Sequence, residues 1–186
     1  MVVVPLEHNL PEEKFAEIEQ MLEGQSFPAE ASDILFTTGT TGTPKGVVLS
    51  HKALLTDADN LVEAHGYQQD LTFIINGPLN HFGSHSKVLP VVRTGASLYL
   101  MEGMKSLDDF FKAVDAISGK VATFLVPASI RMLVQFASDR LEACADRIDF
   151  IETGAAPITQ TDMQNISRLL PQSRLFNTYA GSEVGV

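Results

Sequence analysis

The sequence predicts an α/β fold: a mainly parallel sheet with helices on both faces, built from alternating βα units. Short apolar runs rich in β-branched residues alternate along the chain with longer segments whose apolar residues recur at helical spacing. No internal repeat or low-complexity tract interrupts the alternation, so residues 1–186 are predicted to form a single domain. In a sheet of this kind, ligands are expected at the carboxyl ends of the strands.

Six short apolar runs are predicted to be strands. They span 33–37, 71–75, 96–101, 121–126, 148–152 and 174–179. Pro127 stops the fourth of these runs, because proline cannot continue a sheet ladder. The first run leads into a Gly- and Thr-rich segment, an arrangement that presents a phosphate site at a sheet edge.

Helices are predicted between these runs from periodicity and capping. Phe15, Ile18 and Leu22 recur at i, i+3 and i+7 and predict a helix over 11–23. Ser50 is a candidate N-cap for a helix over 51–65. A further helix over 84–92 is expected to be kinked or interrupted at Pro90.

Three more helices are predicted in the second half of the chain. Ser106 with Asp109, and Thr159 with Asp162, are spaced as capping boxes that begin two of them. Between these two, a third helix is predicted after Pro127. Its inward residues are Ile130, Leu133, Val134 and Ala137.

Composition excludes several classes of function. Thirteen basic and 23 acidic residues give a net charge of -10, which repels phosphate backbones, so nucleic acid is not an expected partner. Cys144 is the single cysteine, which excludes an intrachain disulfide, and it is interpreted as structural. No apolar run approaches about 18 residues and no signal-peptide pattern is present, so no membrane span and a cytoplasmic location are expected.

The segment Thr37 to Gly46 has a composition that packing alone does not require. It holds five threonines, three glycines and one lysine in ten residues. Glycine allows close approach of the backbone to a ligand, while hydroxyls, N–H groups and Lys45 supply donors and positive charge, which indicates a polyphosphate cradle. A surface linker has a similar composition but no use for this lysine. A Walker P-loop is excluded, because Pro44 precedes the lysine and Gly46 follows it.

Residues 34–51, reading ILFTTGTTGTPKGVVLSH, closely resemble the phosphate-loop signature of the adenylate-forming (AMP-binding) enzymes, which include acyl-CoA synthetases and luciferases. Thr38 stands where the family more often has serine, and the hydroxyl is kept. The resemblance implies that this loop binds the nucleotide and that Lys45 contributes to catalysis. The implied nucleotide-binding residues of the loop are Thr37, Thr38, Gly39, Thr40, Thr41, Gly42 and Lys45.

Residues 176–183 read FNTYAGSE, and the seven from Asn177 onward resemble the family motif N-x-Y-G-x-T-E. The resemblance implies that Tyr179 stacks on adenine, that Ser182 meets the α-phosphate and that Glu183 holds Mg²⁺. The resemblance also implies that Asn177 binds the nucleotide and that Ser182 and Glu183 are catalytic residues. Ala180 replaces the usual glycine, which is strained only if that position needs φ > 0.

Two further segments resemble family motifs. Gly154, Ala155 and Ala156 precede Pro157 in a turn similar to the family's G-[GA]-A-P turn, which walls the adenine and acyl pockets. Residues 78–83, PLNHFG, resemble the family segment that borders the carboxylate substrate. The implied substrate-binding residues are His81, Phe82 and Gly154.

Two other chemistries have little support in the sequence. His81 and His85 are spaced at i and i+4, but Phe82 occupies the glutamate position of H-E-x-x-H and no third ligand is nearby, so zinc is disfavoured. The sequence around Ser182 lacks the G-x-S-x-G pattern of a serine-hydrolase elbow.

The resemblance implies an ATP- and Mg²⁺-dependent acid:CoA ligase, with a small carboxylic acid as substrate and CoA as co-substrate, represented here by its nucleotide-binding core. A non-catalytic nucleotide-binding or interaction module derived from such an enzyme is the alternative. The family's ribose-binding aspartate and its C-terminal domain find no counterpart in the 186 residues, so the chain alone is expected not to turn over. A sheet edge exposed by truncation could promote self-association.

Overall fold

The computed structural model describes residues 1–37, 45–182 and 185. Its strands are β1 (Ala31–Thr37), β2 (Lys45–Ser50), β3 (Leu71–Ile75), β4 (Ser97–Leu100), β5 (Lys120–Phe124), β6 (Ile148–Thr153) and β7 (Arg174–Asn177). Its helices are α1 (Glu12–Leu22), α2 (His51–His65), α3 (Phe82–His85), α4 (Val88–Thr94), α5 (Leu107–Ala116), α6 (Pro127–Phe136), α7 (Ser138–Ala143) and α8 (Gln160–Leu169).

Five strands form one parallel sheet in the order β4-β3-β5-β6-β7. The chain moves outward from β3 to β4, crosses back to β5 and then proceeds outward through β6 to β7. Strand order therefore reverses between β3 and β5, and a ligand crevice is expected at the carboxyl ends of these two strands. The Asn76 side-chain amide donates to the Phe124 carbonyl at 3.0 Å across this point.

Helices cover both faces of the parallel sheet, as the sequence predicts. On one face, α5, α6, α7 and α8 pack on the side chains of Ile74 and Ile151 in the larger core cluster. On the other face, Leu61 of α2 and Val91 of α4 pack on Phe73 and Phe150. Because side chains alternate along a strand, consecutive residues of β3 and of β6 pack against the helices on opposite faces of the sheet.

β1 and β2 form a separate antiparallel hairpin, and β2 was not predicted from the sequence. The strand that leads into the threonine-glycine loop therefore does not belong to the parallel sheet. Thr37 and Lys45 are partners in the hairpin ladder at the loop end. Leu35 and Leu49, one from each strand, pack against Phe82 and hold the hairpin over the start of α3.

Several element boundaries differ from the sequence predictions. The predicted helix over 84–92 is two helices, and the break lies before α4 rather than at Pro90. Pro90 is the third residue of α4, where its missing N–H has no intrahelical partner to lose. β5 ends at Phe124 and β7 at Asn177, each two residues early, and β1 begins two residues early.

The capping predictions are confirmed, and one amphipathic face is corrected. The backbone N–H groups of Ser106 and Thr159 donate to Asp109 and Asp162, which completes the turns that begin α5 and α8. The Ser106 N–H lowers the pKa of Asp109, and the Thr159 hydroxyl, which donates to Asp162 at 2.9 Å, is the main cause that lowers the pKa of Asp162. In α1, however, only Ile18 is buried, and Phe15 is exposed. None of the described helices has the length and apolar character needed to cross a bilayer.

Candidate active site

The ends of β5 and β6 meet the segments that follow β3, β6 and β7 at the carboxyl edge of the parallel sheet. They enclose a cavity of about 180 Å³, the sheet-end cavity. Its lining includes His81, Phe82, Lys87, Phe124, Glu152, Ala155 and Ser182. The predicted substrate-binding residues His81 and Phe82 and the predicted phosphate contact Ser182 thus meet at one cavity.

Gly154 is required by the close approach of β6 and β7. A Cβ atom at this position would lie 2.6 Å from the Thr178 carbonyl oxygen, which no real side chain tolerates. The Thr178 N–H donates to the Thr153 carbonyl at 2.8 Å and fixes the two strand ends side by side. The family-like turn and the segment containing Tyr179 are therefore neighbours in space.

Ala155 has a left-handed backbone conformation, with φ of 65°, the one such non-glycine residue in the described part of the chain. Non-glycine residues held in this region store strain, which is commonly found at functional sites. Ala180, the departure from the family motif, shows no positive φ, so its side chain causes no strain there. The departure at that position is therefore tolerated by the backbone.

The residues after β7 are accessible. The Tyr179 side chain is 90% exposed, so its ring is open to a flat ligand, and Asn177 is exposed at the strand end. Ser182 is half-buried and lines both the sheet-end cavity and a second cavity of about 450 Å³ beside β2 and α2. Phe82 also lines both cavities, so the two adjoin at these residues.

The two histidines of the 78–86 segment have different surroundings. His81 is exposed at the cavity, with its Nε2 3.9 Å from the Glu7 carboxylate. His85 Nε2 lies 3.1 Å from Asp33 Oδ1, which ties α3 to the hairpin. In the described ranges, no three His, Cys, Asp or Glu side chains gather as a metal site would require. Phe82 is buried against the hairpin.

Lys87 and Glu152 line the sheet-end cavity but were not singled out from the sequence. Each is 1% exposed, and the Lys87 ammonium donates to Glu152 Oε1 at 2.7 Å. Glu152 lies on the same face of β6 as Phe150, beneath α2 and α4. The sequence offered one signal, a glutamate at the end of the predicted strand over 148–152.

His65, at the end of α2, completes this buried group. Its Nδ1 lies 3.6 Å from Glu152 Oε2, and the imidazole is 4% exposed. Burial lowers the pKa of His65 below its ordinary value; the Glu152 carboxylate opposes this shift, while Lys87 and Arg174 add to it. The neutral imidazole is therefore favoured, packed against Phe176 with ring centroids 4.2 Å apart.

Part of the predicted site lies outside the described residues. The predicted site residues outside the description are Thr38, Gly39, Thr40, Thr41 and Gly42 of the loop, and Glu183. Thr37 and Lys45 flank the loop at the end of the hairpin, and Lys45 is exposed. Gly154, Ala155 and Ala156 follow β6, and Ala155 and Ala156 are exposed.

A family model described as AMP-binding enzyme matches residues 1–186. The protein belongs to the AMP-binding enzyme family. The family implied by the sequence motifs is thereby confirmed.

The chain is similar to longer proteins. It is 28% identical to 4-coumarate-CoA ligase 1 of Narcissus pseudonarcissus over 163 residues, which are 85% of this chain and 29% of that protein. It is 26% identical to 4-coumarate--CoA ligase 5 of Oryza sativa subsp. japonica over 175 residues, 88% of this chain and 32% of that protein. The chain thus spans less than a third of the length of these relatives.

Among solved structures, the Klebsiella oxytoca NpsA N-terminal subdomain in complex with 3-hydroxybenzoyl-AMSN has a similar fold. The TM-score is 0.76 at 17% sequence identity, and the match covers 95% of this chain and 52% of that one. At this identity the similarity establishes the α/β fold alone.

Proposed function

We propose that this chain is the nucleotide- and acid-binding core of an ATP- and Mg²⁺-dependent acid:CoA ligase. The observation that carries the proposal is the meeting of the Gly154 turn, the exposed Tyr179 ring and Ser182 beside one cavity at the carboxyl edge of a parallel sheet. Membership of the AMP-binding enzyme family supports the nucleotide, and relatives named as CoA ligases support CoA as the thiol acceptor.

The reaction has two steps. A carboxylate oxygen of the acid attacks the α-phosphorus of ATP, the bond to the β-phosphate oxygen breaks, and acyl-AMP and pyrophosphate result. The CoA thiol then attacks the acyl carbon, loses its proton, and displaces AMP to give the thioester. Since both steps move negative charge, the protein contributes mainly by positioning groups and by electrostatic stabilisation.

The described residues fit a nucleotide. Backbone at Gly154, Ala155 and Ala156 carries little side-chain bulk, and the Tyr179 ring is free to stack on adenine. Lys45 at the end of the hairpin would contribute positive charge to the phosphates, and Ser182 a hydroxyl to the α-phosphate. Glu183, which lies outside the described residues, would hold Mg²⁺ as the motif implies, and the ion would neutralise phosphate charge when bound.

The test is a calorimetric titration of the 186-residue chain with ATP, with and without Mg²⁺. Saturable binding that strengthens with Mg²⁺ is the expected result, and a flat titration in both conditions would contradict the proposal. Acid-dependent exchange of pyrophosphate into ATP, measured on the longest available form of the protein, separates a ligase from a non-catalytic nucleotide-binding module.

A further inference from the structure

The sheet-end cavity holds a pair of opposite charges in its interior. His81 lies at the exposed part of the lining, whereas Lys87 and Glu152 are each 1% exposed. Ala155 and Ala180 are also exposed on this lining, so the pair lies deeper in the cavity than these residues. The pair is placed to contact the end of a substrate that is farthest from solvent.

Packing does not explain the pair. Taking two charges out of water is costly, and well-packed apolar residues of similar volume are often as stable as a buried ion pair or more so. The neighbouring cavity walls are already apolar or small, with Phe82, Gly83, Phe124 and Ala155 among them. A role in recognising a polar group of a ligand gives a reason for keeping the charges.

The pair has hydrogen-bonding capacity to spare. An ammonium can donate three hydrogen bonds, and within the described residues Lys87 makes one, to Glu152. Glu152 Oε2 is buried beside His65 Nδ1 at 3.6 Å, whereas Oε1 accepts from Lys87 and can accept a second hydrogen bond. A bound hydroxyl can accept from the lysine and donate to the carboxylate.

The size of the cavity and the charges of the pair further limit which ligands fit. A cavity of about 180 Å³ is close to the roughly 150 Å³ of a protein cavity that binds benzene, so one six-membered ring fits. Because the lysine and the glutamate cancel each other's charge, the pair gives no net attraction that would offset the desolvation of a second carboxylate or of an ammonium.

We propose that the buried Lys87–Glu152 pair selects an acid substrate of single-ring size that carries a neutral hydroxyl group at the end opposite its reacting carboxylate. This specificity rests on the proposed ligase function, because it takes the sheet-end cavity as the acid pocket. Lys87 and Glu152 are specificity-determining residues in this account.

The experiment compares matched acids by ligand-observed NMR titration of the 186-residue chain. One series is benzoate, 4-hydroxybenzoate and terephthalate, and a second is 3-phenylpropanoate with its 4-hydroxy and 4-carboxy derivatives. In at least one series, the hydroxy acid is expected to bind about tenfold more tightly than the unsubstituted acid and the diacid, the effect of one hydrogen bond to a charged group. This comparison of acid affinities is made on the wild-type chain alone.

The variant that tests the pair is Lys87→Met with Glu152→Leu, which removes both charges together and leaves neither unpaired. The preference for the hydroxy acid is expected to disappear in it. A matched control carries Lys14→Met with Glu17→Leu, at a pair of the same 2.7 Å length on the exposed face of α1. This control is expected to keep the preference.

ATP binding, titrated in the same samples, separates the two proposals. If ATP binds but hydroxy and unsubstituted acids bind equally, the specificity is overturned and the ligase proposal stands. A preference that survives in the Lys87→Met/Glu152→Leu variant, or that vanishes in the Lys14→Met/Glu17→Leu control, also overturns it. If neither ATP nor any acid binds, both proposals fail.

Discussion

Two lysines border the candidate site in opposite environments. Lys45 begins β2 and is exposed at the end of the hairpin, whereas Lys87 precedes α4 and is 1% exposed, with its ammonium 2.7 Å from Glu152. An exposed ammonium keeps its water and its freedom until a polyanion arrives, while a buried one depends on a fixed carboxylate. We therefore expect the hairpin lysine to act on ligand affinity, and the buried lysine and its partner to act on both the fold and the choice of acid.

The largest expected effect is on the fold, from Glu152→Ala. This substitution leaves the Lys87 ammonium buried without its partner, and the free energy of unfolding should fall by about 3–5 kcal/mol. Urea unfolding measures the change. Glu17→Ala, which removes the partner of exposed Lys14, is the control and should leave the urea midpoint unchanged. Wild-type stability in the Glu152→Ala variant would show that Lys87 does not depend on this carboxylate.

The Lys45→Ala substitution should change ATP affinity rather than stability, the reverse of the effect expected for Glu152→Ala. ATP affinity should weaken by about 1.5–3 kcal/mol, the range for a hydrogen bond to a charged group, while the urea midpoint stays at the wild-type value. Lys105→Ala, at an exposed lysine beside Glu102, is the control for a general loss of positive charge. Equal ATP affinities of wild type and Lys45→Ala by calorimetry would remove this lysine from the site.

Tyr179→Ala tests the part of the site at the parallel sheet. Loss of the ring should weaken both ATP and AMP by about 1–3 kcal/mol, by analogy with bases stacked on aromatic side chains. Tyr179→Phe keeps the ring and should bind as wild type does. If the alanine variant binds both nucleotides normally, adenine does not stack on this residue.

The smallest expected effect concerns pH and His65. Because burial lowers the pKa of His65 in the folded state, the unfolded chain takes up this proton first as pH falls. The stability contributed by the neutral imidazole is present above the unfolded-state pKa of about 6.5 and is lost as pH falls below it, by at most about 1.4 kcal/mol per pH unit.

His65→Gln removes that titration, so its unfolding free energy should fall less between about pH 7 and pH 5 than that of the wild type. His51→Gln, at an exposed histidine that begins α2, should keep the wild-type slope. Parallel pH profiles for wild type and His65→Gln would show that the buried imidazole is not the titrating group.

Most of the parallel sheet could be predicted, because its strands are short apolar runs separated by helices with clear periodicity and caps. β2 could not, since its sequence has only Val47, Val48 and Leu49 in a row, and its strand conformation comes from pairing with β1. Hairpin pairing also explains why β1, which leads into the phosphate-loop motif, is not a strand of the parallel sheet.

The candidate site was predictable where residues are contiguous in sequence. The Gly154 turn and the segment ending at Ser182 are each local motifs. Lys87 and Glu152, in contrast, are 65 residues apart and meet because the segment between α3 and α4 lies at the carboxyl end of β6. Neither the strain at Ala155 nor the 2.6 Å approach at Gly154 has a signature in the local sequence, because both result from how β6 and β7 lie side by side.

Nucleotide and acid are proposed to bind side by side in one continuous site at the carboxyl edge of the parallel sheet. The most direct measurement is a calorimetric comparison of AMP with 4-hydroxybenzoyl-sulfamoyladenosine, a stable analogue of an acyl adenylate. Since the analogue engages both halves of one site at once, it should bind at least about 100-fold more tightly than AMP. Equal affinities for the two compounds would show that the sheet-end cavity is not continuous with the nucleotide site.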